Sequence, residues 1–179
     1  EIVSMTMTRA LILVDIQNDY FTGGLWPVED MDRVASQAAE VLHDARTAGE
    51  MIVHVYHEAA SDSAPFFRPG TLGAQIHASV APVKGEAVIL KHRPNSFHET
   101  DLHTQLQSAG ITHVTIIGAM TQMCIDATAR AARDLGYDVT LVADACGAKA
   151  LSFNGVHLSA AEVQAAFLGP LAMSYAKVI

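Results

Sequence analysis

At 179 residues, half of them hydrophobic and 17% charged, the chain has the size and composition of one globular domain with a sizeable core, which excludes a disordered chain. A net charge of −8 offers no basic face for nucleic acid, and the strand-sized apolar runs fall far short of the ~20 residues a membrane span needs. Two cysteines provide no disulfide framework, so a reducing cytoplasm is the expected compartment. The first nine residues lack the charged-then-apolar pattern of a secretory leader. Residues 7–179 are expected to form a single domain and residues 1–6 an extension of it.

The first predicted element is a strand, Ala10-Leu11-Ile12-Leu13-Val14, ending at Asp15. Its continuous apolarity suits a strand covered on both faces, as in a parallel sheet. Thr22-Gly23-Gly24 marks a turn. Met31, Val34, Ala35, Ala38, Val41, Leu42 and Ala45 then draw one apolar stripe at helical spacing, with Gly49 as the stop. Met51 to Tyr56 reads as the second strand. The polar stretch from His57 to Gly73 reads as a long loop, of the kind that is often functional. A third strand, Ala87 to Leu90, ends at Lys91. A helix is expected from Glu99 to Ala109.

His113 to Ile117 is the fourth strand, followed by a small-residue turn and an Ala-rich helix to Leu135. Asp138 to Val142 is the fifth strand. Ser159 with Glu162 signals a capped helix through Phe167, and Met173 to Ile179 supplies a possible sixth strand. Strands alternating with helices imply right-handed βαβ units, hence an α/β fold with a parallel sheet between helical layers.

Chemistry in such sheets gathers beyond the carboxyl ends of the strands. Here those ends carry Asp15, Lys91 and, after the turn, Cys124. Each has a plain explanation: Asp15 as a helix cap or satisfied buried acid, Lys91 as a solvated strand-end lysine, Cys124 as a buried structural thiol. Together they supply a proton acceptor, a cation and a nucleophile, which thiol-based acyl transfer requires. A cysteine in the first turn of a helix is expected to have a lowered pKa, because free N–H groups and the helix dipole favour thiolate.

The stretches Leu13-Val14-Asp15-Ile16-Gln17-Asn18-Asp19, Lys91 with Ser96-Phe97, and Gly118-Ala119-Met120-Thr121-Gln122-Met123-Cys124-Ile125-Asp126-Ala127-Thr128-Ala129 resemble the isochorismatase-like cysteine hydrolases, a group that includes nicotinamidases and N-carbamoyl amidohydrolases. The resemblance runs from Met7 to Ile179. It implies a three-layer α/β/α, Rossmann-like fold with a six-stranded parallel sheet in the order 3-2-1-4-5-6. It also implies a triad in which Cys124 attacks, Asp15 carries the proton and Lys91 holds the carboxylate. A cis Ala119-Met120 peptide bond would aim the Met120 and Cys124 N–H groups as an oxyanion hole. In that strand order Lys91 starts two strands from Asp15, a gap of roughly 10 Å that its side chain must cross.

Nicotinamidases of this family bind a metal through an Asp-x-His and a further His after the second strand. This chain has His54-Val55-Tyr56-His57-Glu58 there and no Asp-x-His, so neither a metal nor another cofactor is expected. Tyr20, Trp26, Phe67 and Phe97 are the expected substrate-binding residues, with Arg68 or Arg93 as possible partners for a substrate carboxylate. Cys146 reads as a small structural residue. The expected activity is cleavage of a C–N bond in a small-molecule amide, carbamoyl or lactam-like substrate. The alternatives are vinyl ether hydrolysis of the isochorismate type, a non-catalytic small-molecule-binding domain, and a redox pair of Cys124 with Cys146. No membrane or nucleic-acid partner is expected, and the resemblance implies a homodimer or larger homo-oligomer.

Overall fold

The computed structural model describes residues 8–179; the expected extension, residues 1–6, lies outside the described residues. Six parallel strands form the central sheet: β1 (Arg9–Val14), β2 (Met51–His57), β3 (Ala87–Lys91), β4 (His113–Ala119), β5 (Asp138–Gly147) and, at the edge, a two-residue strand, Lys177–Val178. The spatial order is third, second, first, fourth, fifth, then the terminal strand, as in the expected order. Residues of β1 alternate between faces. Ala10, Ile12 and Val14 join one buried cluster, while Leu11 and Leu13 join the other. Both faces are therefore dry, which is why the run is continuously apolar.

Helix α1 (Met31–Thr47) covers one face with the predicted stripe. Helices α2 (Leu102–Ser108), α3 (Asp126–Asp134) and α4 (Ala160–Ser174) cover the other through Leu102, Leu106, Ala129, Ala132, Leu168 and Leu171. The result is a three-layer α/β/α sandwich.

Several expected boundaries move for local reasons. Helix α2 starts three residues late, because Glu99 sits at a φ of 53° and cannot be helical. Helix α4 begins at the Ser159 cap, where Ser159 Oγ accepts the Glu162 N–H at 3.1 Å, and runs well past Phe167. It passes through Pro170 because Leu168 and Leu171 are buried on the sheet. This shortens the expected sixth strand, Met173–Ile179, to Lys177–Val178.

Strand β5 extends to Gly147, its register against β4 slipping between Ile116 and Gly118. At Gly118 φ is 131°, and a Cβ there would overlap the Val14 carbonyl oxygen of β1. A two-stranded antiparallel hairpin, β6 (Leu151–Phe153) and β7 (Val156–Leu158), was not expected from the sequence. Its turn, Asn154-Gly155, has φ values of 51° and 77°, the positive pair that a tight hairpin turn needs.

Candidate active site

Asp15 follows the last residue of β1 and turns the chain at a φ of 53°, a left-handed conformation that short polar side chains tolerate. Its N–H is fixed by the Val55 carbonyl at 2.9 Å, and its side chain is fully buried. Lys91 is the last residue of β3 and stands in register with His57 of β2. Its stem crosses beneath the end of β2 and closes the gap anticipated from strand order. The Nζ atom lies 2.9 Å from Asp15 Oδ2, 3.4 Å from Cys124 Sγ, 3.0 Å from His57 Nδ1 and 3.0 Å from the Arg93 carbonyl. Asp15, Lys91 and Cys124 are thus brought together, with His57 as a fourth member that the sequence did not single out.

Cys124 sits in a π-helical turn, Thr121–Ile125, rather than in the first α-helical turn expected for it. The Ile125 N–H reaches back to the Met120 carbonyl at 3.2 Å, a five-residue span. Such turns recur at functional sites. The Ala119-Met120 peptide bond at the end of β4 is cis.

The electrostatics correct one expectation. The Cys124 thiol pKa is raised, not lowered: burial comes first, then the Asp15 carboxylate, against the smaller pull of Lys91. The resting group is a thiol beside a base, and burial leads the effects on its state. Burial works against the Lys91 ammonium, but the Asp15 carboxylate, with its charge and hydrogen bond, leads the effects that outweigh burial and hold the lysine pKa above its usual value. The His57 pKa is pushed down to about 4 by burial and by Lys91, with Asp15 opposing, so the imidazole is neutral at neutral pH. Asp15 Oδ1 is buried and has no hydrogen-bond partner among the described residues. The carboxylate therefore keeps a free acceptor, and one of its oxygens lies within 4.8 Å of Cys124 Sγ.

A cavity of about 200 Å³ opens above this cluster, and Cys124, His57, Tyr20, Phe66, Phe67 and Met120 are among the residues lining it. Tyr20 and Phe67 line it as expected, though both are almost fully buried. The loop after β2 brings Phe67 in, with φ at 54° and its N–H held by Asp19 Oδ2 at 2.8 Å. Phe66 and Met123 also line the cavity and were not singled out from the sequence; nothing in the composition of a polar loop separates Phe66 from its neighbour.

Trp26 does not reach the lining: it stacks behind Phe66, ring centroids 4.8 Å apart. Phe97 is a correction. It packs on the opposite face of the sheet, stacked on Tyr137 at 6.1 Å, because the loop after β3 turns toward α2 and α3. The guanidinium groups of Arg68 and Arg93 do not line the cavity either; Arg68 Nε donates to the Ala64 carbonyl at 2.7 Å. Cys146 is buried, and burial pushes its thiol up to about 12.

Asp15, His57 and Cys124 offer ligand atoms that all lie within 4.8 Å of one another, which is also a spacing a metal ion uses. The set does not fit one here. Lys91 Nζ already lies within 3.4 Å of one atom from each of the three, so the cation at this point belongs to the protein. His54, the other histidine of β2, is bonded to Glu86 at 2.8 Å. No helix among the described residues is long and apolar enough to cross a membrane.

The sequence matches the isochorismatase domain over residues 9–169. The isochorismatase family protein YddQ of Bacillus subtilis is 42% identical over 172 residues, 96% of this chain and 96% of its own. Streptothricin hydrolase of Streptomyces noursei is 36% identical over 137 residues, 76% of this chain and 49% of that protein. A crystal structure named as an isochorismatase hydrolase, from Oleispira antarctica, superposes with a TM-score of 0.94 at 48% identity, covering 99% of this chain and 95% of that one. With the domain matched across most of the chain and a relative 42% identical along 96% of it, the protein belongs to the isochorismatase family of hydrolases.

Proposed function

We propose that the protein hydrolyses a C–N bond in a small, uncharged amide, carbamoyl or lactam-like compound through a thioester on Cys124, without a metal. The observation that carries this is the Lys91 ammonium, placed 2.9 Å from Asp15 Oδ2 and 3.4 Å from the Sγ of Cys124, which lines an aromatic cavity. Among the described residues no lysine or arginine lines the cavity, which favours a neutral substrate. The name of the Streptomyces noursei relative, a streptothricin hydrolase, supports hydrolysis as the class of reaction.

In this mechanism Asp15 Oδ1 takes the thiol proton as Sγ bonds to the carbonyl carbon. The oxyanion is received by the N–H groups of Met120 and Cys124, each such donor being worth ~10²–10³ in rate. The tetrahedral intermediate collapses, the C–N bond breaks, and the leaving nitrogen takes the proton from Asp15. Water then attacks the thioester and gives a proton to Asp15. The C–S bond breaks, the acid leaves, and the proton returns to Sγ. Lys91 stays protonated throughout and offsets the negative charge that develops on Asp15 or Sγ. A raised thiol pKa suits this sequence, because the proton moves only when an electrophile is in place.

The same proposal puts the protein in a reducing cytoplasm, since both cysteines are free and buried. It also makes the protein a homodimer or larger homo-oligomer. Helix α4 supports this: Ala165, Ala166, Gly169 and Met173 are exposed on it, and Glu162 is its sole charged residue. Sedimentation velocity reads the assembly directly.

The deciding experiment is ammonia release from a panel of amides and ureides, with and without chelator. Turnover should survive the chelator. Cys124→Ala should lower it by ~10³–10⁶-fold with the melting temperature little changed. Full activity in that variant would remove the covalent mechanism.

A further inference from the structure

His57 is the one member of the buried cluster that these steps do not use. Its backbone is clamped on both sides by Gln17: the His57 N–H donates to Gln17 Oε1 at 2.8 Å, and Gln17 Nε2 donates to the His57 carbonyl at 2.8 Å. Its ring lies against Phe67, centroids 5.9 Å apart, and forms part of the cavity wall. Nδ1 is 3.0 Å from Lys91 Nζ. An ammonium has only donors to offer, so Nδ1 must accept. Because the imidazole is neutral, its one proton is then on Nε2. Nε2 has no hydrogen bond among the described residues, while Tyr20, Phe66, Phe67, Pro65, Pro94 and Met123 present mostly apolar bodies to the same space.

We propose that His57 is a substrate-recognition residue whose Nε2–H donates to an acceptor two or more bonds from the reacting carbon of a small, uncharged amide or ureide, the reacting carbonyl oxygen itself going to the Met120 and Cys124 N–H groups. Lys91 has a second role in this arrangement, since its bond to Nδ1 sets the tautomer that makes Nε2 a donor. A fixed donor in an apolar cavity discriminates strongly, because a molecule without the acceptor leaves it desolvated and unpaired. The proposal rests on Cys124 being the reactive group of this cavity, and deepens that reading by naming what selects the substrate.

Two substitutions separate the nitrogens. His57→Asn can place an oxygen near Nδ1, keeping the acceptor for Lys91 and losing the donor. His57→Gln can place an amide nitrogen near Nε2, keeping the donor and losing the acceptor. The readout is alkylation of Cys124, located by peptide mass at one mildly alkaline pH, by iodoacetamide, which carries an acceptor, and by iodoethane, which does not. His57→Asn should slow iodoacetamide about tenfold and leave iodoethane unchanged, and His57→Gln should restore most of the iodoacetamide rate.

Equal slowing of both reagents by His57→Asn, slowing of neither, or no recovery in His57→Gln overturns the proposal. The hydrolase reading is tested apart from it. A wild-type protein inert on the amide and ureide panel but selective in alkylation removes the hydrolysis and leaves the donor. Turnover without selectivity removes the donor alone. If turnover is found, His57→Asn should raise KM more than it lowers kcat.

Discussion

Strand β2 sends one histidine into each of two ionic clusters: His54 to Glu86 and Arg46, His57 to Lys91 and Asp15. Each cluster joins a basic side chain, a carboxylate and a histidine, yet their bonding differs. Glu86 receives Arg46 Nε at 2.7 Å, Arg46 Nη2 at 2.8 Å, His54 Nε2 at 2.8 Å and the Val83 N–H at 3.0 Å. Both of its oxygens are engaged, and hydrogen bonding from Arg46 leads the effects that hold its carboxyl down to about 2. Asp15 receives Lys91 on Oδ2 and nothing among the described residues on Oδ1. A saturated carboxylate fastens β3 to α1; an unsaturated one retains room for a proton. The residue types alone do not separate the two clusters, whereas the count of occupied acceptor sites does.

The sharpest way to break this contrast is Asp15→Asn. It removes the proton acceptor and leaves the Lys91 ammonium buried without its counter-charge. Turnover in the amide panel should fall by ~10²–10⁴-fold, and urea denaturation should show a loss of ~3–5 kcal/mol. Retained turnover would show that the spare oxygen is not the acceptor.

Glu86→Gln makes the opposite test. Arg46 is a third exposed and can rehydrate, so the cost should be ~1–3 kcal/mol in the same denaturation, with kcat/KM unchanged. A loss of turnover matching that in Asp15→Asn would erase the distinction between the clusters.

The smallest effect should be the order in which acid acts. The His57 pKa is depressed from 6.5 to about 4, so the unfolded chain binds that proton first and stability declines as pH falls through this interval. His54 is depressed by burial as well and adds to the same decline. The Glu86 pKa is depressed from 4.5 to about 2, so its contribution is complete above 4.5 and is lost as pH falls toward 2. Melting temperature against pH should therefore fall in two stages, and Glu86→Gln should flatten the lower one while steepening the upper, since Glu86 partly offsets the burial of His54.

The sequence made the sheet and the three strand-end residues legible because each apolar run stops at a charged residue or a small-residue turn. It missed His57 because β2 was ended at Tyr56, one residue short. With the parallel register laid out, His57 falls directly beside Lys91, so strand alignment was the signal that would have found it. The hairpin of β6 and β7 also had a signal, Asn154-Gly155 between apolar neighbours, passed over because each strand is only three residues long. The thiol pKa was not legible at all. Position at a helix start is a local property, but burial against Asp15 comes from another strand more than a hundred residues away. Phe97 failed for a similar reason: its loop leaves the correct strand end and then folds to the other face.

Gly118 gives the site its dimensions. It lies on β4 beside Val14 of β1, one residue before Asp15, at the place where any side chain would collide with the Val14 carbonyl. Strands β1 and β4 carry the acid and the turn that leads to the thiol, so the reach between proton acceptor and nucleophile is set by an atom this chain does without. Hydrogen replaced by methyl at that one carbon would work as a wedge, widening the site without touching any group that performs the chemistry.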